Sequence, residues 1–472
     1  MNRYKKLMTN SGLIAIGNFG SKLIVFFLIR FYTAYLTTEM YSVAELITQT
    51  SKLIMPLASL GVADAVFRFA LDKEHDKRHV YSAGLYTLGA GALILIPIIL
   101  VFALLGLFEG YWYLIVLYVL AANLHGITTL YIRTKDHFGF FALQGLINTG
   151  TMVILNIVFL AVFDMGVEGY VLSGIIADLF ATFIIYVKEK IWLDIVFPFK
   201  VNRDTLKKML KFSIPIIPAN VLWWVTDVSD RYVVTYFEGD AVNGLYSVAY
   251  KIPALLVLVC SIFIQAWSFS SVAEEDDGER RKFFSTVFSA YSAVQFLGCS
   301  AIMLVLDILV VILFDPSYHG AAAFIPTLVF ATAFSSLVTF QGSVYTLTKK
   351  SMNLLYTSLA AAGINIVLNF VLVADSLFGI PMAGLGAIGA AISTLISYVS
   401  VFVIRAVNIK KEFPFDMKIR YLVANGVLVS IQCVIATLRP EGYIFYQIPL
   451  FIAVLLINFK ALLATLKKII KK

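Results

Sequence analysis

FSIPIIPANVLWWVTDVSDRYVVTYF, residues 212–237, is apolar enough to cross a membrane and longer than the ~20 residues a spanning helix needs. It nevertheless carries Asp227, Asp230 and Arg231. Its last seven residues, RYVVTYF at 231–237, resemble RFYTAYL at 30–36, an offset of 201. Three more matches follow in the same order. YSVA at 41–44 recurs at 246–249, Leu155-Asn156 recurs as Leu368-Asn369, and Gly169 and Gly174 recur as Gly384 and Gly389, at offsets of 205, 213 and 215. Slowly growing offsets in one order are the mark of an internal repeat.

The rest of the chain agrees with a membrane reading. Of its 472 residues 60% are apolar and 14% charged, with a mean hydropathy of +0.87. A soluble domain is about half apolar and about a quarter charged. A soluble enzyme, a disordered chain and a nucleic-acid binder are excluded. The basic start, MNRYKK, leads into an apolar stretch too long for a signal segment and with no cleavage site, so it reads as an uncleaved first span. Cys260, Cys299 and Cys433 lie in apolar runs and read as small core residues.

Short polar interruptions divide the chain into about fourteen helices: 11–36, 41–70, 80–107, 112–132, 140–163, 168–187, 212–237, 241–270, 284–314, 321–347, 353–374, 382–404, 421–437 and 442–459. With the N-terminus inside, the inner segments hold thirty of the 37 Lys and Arg, among them Arg405, and the outer loops hold Arg439 alone. The positive-inside rule predicts this asymmetry, and it places both termini in the cytoplasm. The surplus charge of +8 is therefore a topology signal, with no nucleic acid implied.

The repeat matches helices one, two, five and six with seven, eight, eleven and twelve. Six helices separate the copies, so both run in the same sense. The fold expected is all-α and integral to the membrane, with two parallel-repeat six-helix lobes around a central cavity and two extra C-terminal helices. Residues 1–190 form the first lobe and 191–211 a linker whose VNRDTLKKMLKF (201–212) suits a short amphipathic helix on the inner surface. Residues 212–409 form the second lobe, and 410–472 the last two helices and a basic tail. Such a layout points to alternating-access transport.

Six cations remain inside spans: Lys22, Arg30, Lys52, Arg68, Arg231 and Lys251. A cation at bilayer depth costs at least ~2.5–3.5 kcal/mol unless it faces the bundle or water. Arg68 can pair with Asp64, and Arg231 with Asp227, each at i, i+4. Lys22, Lys52 and Lys251 sit near mid-span. Asn18 and Lys22 are one turn apart, and Glu45, Gln49, Lys52, Pro56 and Ser59 form one stripe along helix two. Helices one and two thus present a polar face to a hydrated cavity. Its cations, Lys22, Arg30, Lys52, Arg231 and Lys251, would draw in an anion, with phosphate or diphosphate the natural guest. Asp178, Asp227, Asp230 and Asp307 are candidate proton or cation sites, against an ordinary structural pairing role for each. No nucleotide-binding signature is present and no cofactor is expected. His75 and His79 have metal-like spacing but fall in a charged loop, as does EEDDGERRK at 274–282, and both read as solvated. No metal site and no catalytic group is expected. Trp223 and Trp224 read as packing or interface residues.

Three segments resemble the polysaccharide-exporter branch of the multidrug/oligosaccharidyl-lipid/polysaccharide superfamily. They are GNFGSKLIVFFLIRFYTAYLTTEMYSVAELI (17–47), SLGVADAVFRFALD (59–72) and TDVSDRYVVTYFEGDAVNGLYSVAYKIPALL (226–256). The resemblance implies a flippase of the O-antigen or capsule type in the bacterial cytoplasmic membrane. Its substrate would be a polyprenyl-diphosphate-linked oligosaccharide moved from inner to outer leaflet, with the headgroup in a cationic cavity. Membrane lipids are its surroundings, and a glycan polymerase and glycosyltransferases its companions in the pathway. The alternatives are a peptidoglycan-precursor flippase, which has a similar layout with arginines on helices one and two, and a multidrug/cation antiporter, which needs acids in its cavity. A membrane-embedded glycan polymerase or transferase fits less well, because every outer loop is short.

Overall fold

The structure, a computed structural model, describes residue 20 and residues 24–72, 74–135, 137–261, 277–348 and 350–470. The chain divides into two compact units, Met1–Trp224 and Val225–Lys472. Among the described residues eleven helices are long and apolar enough to cross a membrane, or up to twelve with one bent pair counted as a span.

The first unit begins with α1 (Ile24–Tyr35), α2 (Thr38–Ala58), α3 (Val62–Leu71) and α4 (Lys77–Leu104). It continues with α5 (Trp112–Arg133), α6 (Phe138–Asn156), α7 (Gly166–Glu189) and α8 (Arg203–Ser213). A π-helical segment, Ile157–Val162, prolongs α6. Helix α9 (Ile217–Glu238) contains the boundary between the units.

Helix two of the sequence reading, given as one span over 41–70, is two helices that meet at 53°. The Thr37 hydroxyl caps its start by accepting from the Met40 N–H. Pro56 lies within its last turns, and Leu60 and Gly61 then take left-handed conformations, φ +48° and +64°. Gly61 suits that turn because it carries no Cβ. The pieces bury different faces. Val43, Ala44 and Ile47 of α2 pack with Leu114, Ile115 and Val119 of α5 and Val171 and Ile175 of α7. Val62, Ala65 and Val66 of α3 pack with Val80 and Tyr81 of α4, Ile127 and Tyr131 of α5, and Met209 of α8.

Asn202 caps α8 through the N–H groups of Asp204 and Thr205. The helix is amphipathic as expected, but it does not simply lie on a membrane surface. Thr205, Met209 and Ser213 are buried, Met209 within the α3–α4–α5 core. Lys207, Lys208 and Lys211 remain exposed.

The second unit holds α10 (Asp240–Ala249), whose apolar span continues to Ser261 after a turn at 250–253, and α11 (Asp277–Leu304), α12 (Leu306–Leu313) and α13 (Ile325–Leu347). Then come α14 (Ser351–Val373), α15 (Gly386–Glu412), α16 (Ile419–Leu438) and α17 (Tyr443–Ile470). A two-residue antiparallel hairpin pairs Ser376–Leu377 with Ile380–Pro381.

Four expectations change here. The span 284–314 is broken at Val305 into α11 and α12, and residues from Asp277 onward, expected in a loop, already belong to α11. The basic tail is helical to Ile470. Arg405, counted as a loop cation, lies inside α15 and is 1% exposed, because that helix runs eight residues beyond its expected end at 404. Polar side chains tie α16 to its neighbours, as suits helix pairs in lipid. Gln432 accepts from Ser300 of α11 at 2.6 Å, and Asn425 and Asn458 of α17 exchange hydrogen bonds at 2.7 and 3.1 Å.

Candidate functional site

Lys22 and Asn18 lie outside the described residues. Arg30 is exposed on α1, and Lys52 is exposed on α2 within an otherwise largely buried stretch. The stripe on α2 changes environment along its length. Glu45 is buried and accepts from the half-buried Gln49 Nε2 at 2.7 Å. The Gln49 carbonyl takes the Trp224 indole N–H at 2.8 Å. Ser59 is buried and turns its hydroxyl back to the Met55 carbonyl at 2.8 Å. The exposed member of the stripe is therefore Lys52, one turn from Gln49 and two from Glu45.

Arg68 was expected to pair with Asp64. It instead lies over the Phe212 ring, 5.1 Å from the centroid, and no ion pair among the described residues joins it to Asp64. The aromatic face comes from the end of α8, a neighbour that helical spacing alone does not reveal.

The C-terminal unit gathers three of the predicted residues. Asp230 is fully buried. Its carboxylate accepts from the Tyr246 hydroxyl at 2.7 Å, from the Tyr250 hydroxyl, and from Thr394 Oγ1 at 3.4 Å. Arg231 is buried too, 3.8 Å from Asp230 Oδ1 and over the Tyr250 ring at 4.2 Å. The expected partner, Asp227, meets it through its backbone carbonyl at 2.9 Å, while the Asp227 carboxylate accepts from the Tyr398 hydroxyl. Ser229 donates to Asn365 Oδ1 at 3.0 Å, which also accepts from Asn369 Nδ2 at 3.0 Å. Asn365 Nδ2 in turn donates to Thr394 at 3.2 Å. Such a network surrounds the buried Asp230 carboxylate with hydroxyl donors and sets the Arg231 guanidinium against it. Lys251 is half-buried at the turn that interrupts the α10 span.

Sequence reasoning missed Tyr246, Tyr250, Asn365, Asn369, Thr394 and Tyr398. The signal was present as polar pairs at i, i+4 in apolar helices: Tyr246/Tyr250, Asn365/Asn369 and Thr394/Tyr398.

Asp178 is half-buried in the first unit, accepting from Asn148 Nδ2 at 2.7 Å. Asp307 is exposed, 2.9 Å from the Arg439 guanidinium, and accepts from Tyr443. That is an ordinary ion pair joining α12 to the α16–α17 turn, and it does not meet the other candidates. His75 stands in the turn before α4, 3.4 Å from Thr205, and His79 in the first turn of α4. Among the described residues no group of three or more His, Cys, Asp and Glu is placed to hold a metal.

The family model described as polysaccharide biosynthesis protein matches residues 33–323. The chain belongs to that family. No curated protein matches it. Among solved structures it is similar to the lipid II flippase MurJ in an inward closed conformation, at 15% identity and a TM-score of 0.70, covering 96% of this chain and 99% of that one. It is similar also to an inward-facing multidrug-resistance MATE-family transporter of the MOP superfamily, at 14% identity and TM-score 0.64, covering 83% and 95%. A third likeness is a MOP-superfamily transporter from Pyrococcus furiosus, described as having a binding pocket of reversed polarity, at 13% identity and TM-score 0.60, covering 86% and 96%. At these identities the likenesses establish the fold. This family member has the helical membrane fold of the MOP superfamily, as the resemblance of its sequence implied.

Proposed function

We propose that this protein is a flippase that carries a polyprenyl-diphosphate-linked oligosaccharide from the inner to the outer leaflet of a bacterial cytoplasmic membrane by alternating access. It would serve cell-surface polysaccharide synthesis, of O-antigen or capsule type. Both termini face the cytoplasm in this reading, and glycosyltransferases and a glycan polymerase act before and after it. Its role is transport and not catalysis.

The observation that carries the reading is Lys52, an exposed cation within a membrane-spanning helix of a polysaccharide biosynthesis family member. Facing hydrocarbon it would cost at least ~2.5–3.5 kcal/mol, whereas facing a wet chamber it offers a point charge to phosphate. Arg30, exposed on the preceding span, supports the same use. Lys22, Arg231 and Lys251 complete the proposed set of cavity cations, with Asn18, Glu45 and Gln49 as the polar stripe. The peptidoglycan-precursor reading draws on the fold shared with MurJ. A cation antiporter fits less well, because an exposed lysine repels its substrate.

Lys52→Ala and Lys22→Ala are each expected to abolish surface glycan while leaving the protein in the membrane, with lipid-linked oligosaccharide accumulating inside. Normal export by both variants overturns the reading.

A further inference from the structure

His125 of α5, Asn148 of α6 and Asp178 and Thr182 of α7 meet within the first unit, all at least half-buried. Their hydrogen bonds determine where the protons sit. Thr182 Oγ1 donates to the Asp178 backbone carbonyl at 2.7 Å. A hydroxyl has one proton, so toward His125 Nδ1, 3.1 Å away, Thr182 can only accept. Nδ1 therefore carries the imidazole hydrogen, and Nε2 is left as an acceptor.

Nε2 faces the Asn148 amide at 3.5 Å, and that same Nδ2 donates to Asp178 Oδ1 at 2.7 Å. The amide thus spends its two hydrogens on a carboxylate and a neutral imidazole. A proton arriving at Nε2 turns this contact into donor against donor. Relief comes from rotating the Asn148 amide, which takes its N–H off Asp178, or from handing the Nε2 hydrogen to Thr129 Oγ1, also 3.5 Å away. Either way the ties among α5, α6 and α7 are redrawn.

The geometry points to His125 and Asp178 as a proton-binding site, with Asn148 as the switch that converts proton uptake into a change of contact between α6 and α7. Among the described residues the other ionisable groups around it are few. Tyr118 of α5 is within electrostatic reach of both Asp178 and Glu45 of α2. Tyr81 of α4 and Tyr186 of α7 share a hydrogen bond one turn away, beside Thr128. Helix α6 carries no ionisable side chain. A site whose proton affinity differs between two arrangements of helices biases the equilibrium between them by that difference. The coupling part of the inference rests on the proposed transport function; the proton site does not.

The test uses the full chain, labelled at its five histidines and held in lipid nanodiscs, with imidazole tautomer and charge read by NMR between pH 9 and 5. His125 is expected as the Nδ1–H tautomer at alkaline pH and as imidazolium at the acid end. Thr182→Val should move the hydrogen to Nε2, and Asp178→Asn should weaken proton uptake at least about tenfold. An Nε2–H tautomer in the unaltered protein, a His125 that stays neutral to pH 5, or sodium displacing its signals at constant pH overturns the site. In cells, His125→Gln should export glycan weakly and without response to external pH. Export that keeps its pH response in this variant overturns the coupling, whereas normal export by the lysine variants overturns the flippase reading and leaves the NMR result standing.

Discussion

Burying the Asp230 carboxylate strips it of water, at a cost of several kcal/mol that only close partners offset. Tyr246, Tyr250 and Thr394 supply hydroxyls and Arg231 the countercharge. Asp230→Ala should destabilise the protein by about 3–5 kcal/mol, because it takes away a carboxylate that stands 3.8 Å from a buried guanidinium. Asp230→Asn keeps one acceptor and should cost less. Thermal unfolding in detergent reads both, and an alanine variant as stable as the unaltered protein would refute the account. Arg405 poses the opposite problem. It is 1% exposed, donates to the Val338 carbonyl at 2.7 Å and to Thr357 at 3.0 Å, and has no ion pair among the described residues. Nothing in its neighbourhood along the chain announces this, since the carbonyl and hydroxyl that hold it come from α13 and α14.

Where α2 ends before the bend, α4 packs closely against the buried Ala58. A Cβ on Gly91 would stand 1.6 Å from the Ala58 carbonyl oxygen, so glycine alone allows the approach. Gly91→Ala should destabilise the first unit by at least ~1–3 kcal/mol, the range for forced overpacking. Yield of folded protein from membranes measures it, and an unchanged yield with unchanged melting would show that α4 can retreat freely. At the start of α16 the Asp416 carboxylate accepts from the Lys418 N–H at 2.8 Å and pairs with the Lys418 ammonium at 2.9 Å. The Lys418 side chain first, then that backbone N–H, holds the carboxyl below its usual range. A lowered value means the stabilisation is complete above the unfolded value, ~3.9, and fades as pH falls below it through the folded value. Amide exchange in the first turn of α16 should accelerate, beyond the intrinsic rate change, between pH 5 and pH 3. Asp416→Asn should show no such acceleration.

Across the chain, the distribution of lysine and arginine predicts that both ends share the cytoplasmic side. A reporter fused after Lys472 should be active only inside, and periplasmic activity would overturn the topology and with it the direction of transport. The spans were legible because a bilayer imposes one rule on every crossing helix: about twenty apolar residues with the backbone satisfied internally. That rule is local, so composition and spacing suffice to place most of the spans. The places of the breaks, at Val305 and at Leu60–Gly61, escaped, because a kinked apolar helix and a straight one have the same composition. Side-chain partners escaped for a different reason. Arg231 keeps its electrostatic tie to Asp227, the carboxylate four residues back, but also stands 3.8 Å from Asp230, and the Asp227 carboxylate accepts from Tyr398, 171 residues away in sequence. Arg68 left Asp64 for an aromatic ring on α8. Periodicity shows which residues share a face of one helix. Which neighbouring helix supplies the hydroxyl, ring or carboxylate depends on packing between segments far apart in the chain, and a buried charge accepts whichever partner that packing brings within hydrogen-bond distance.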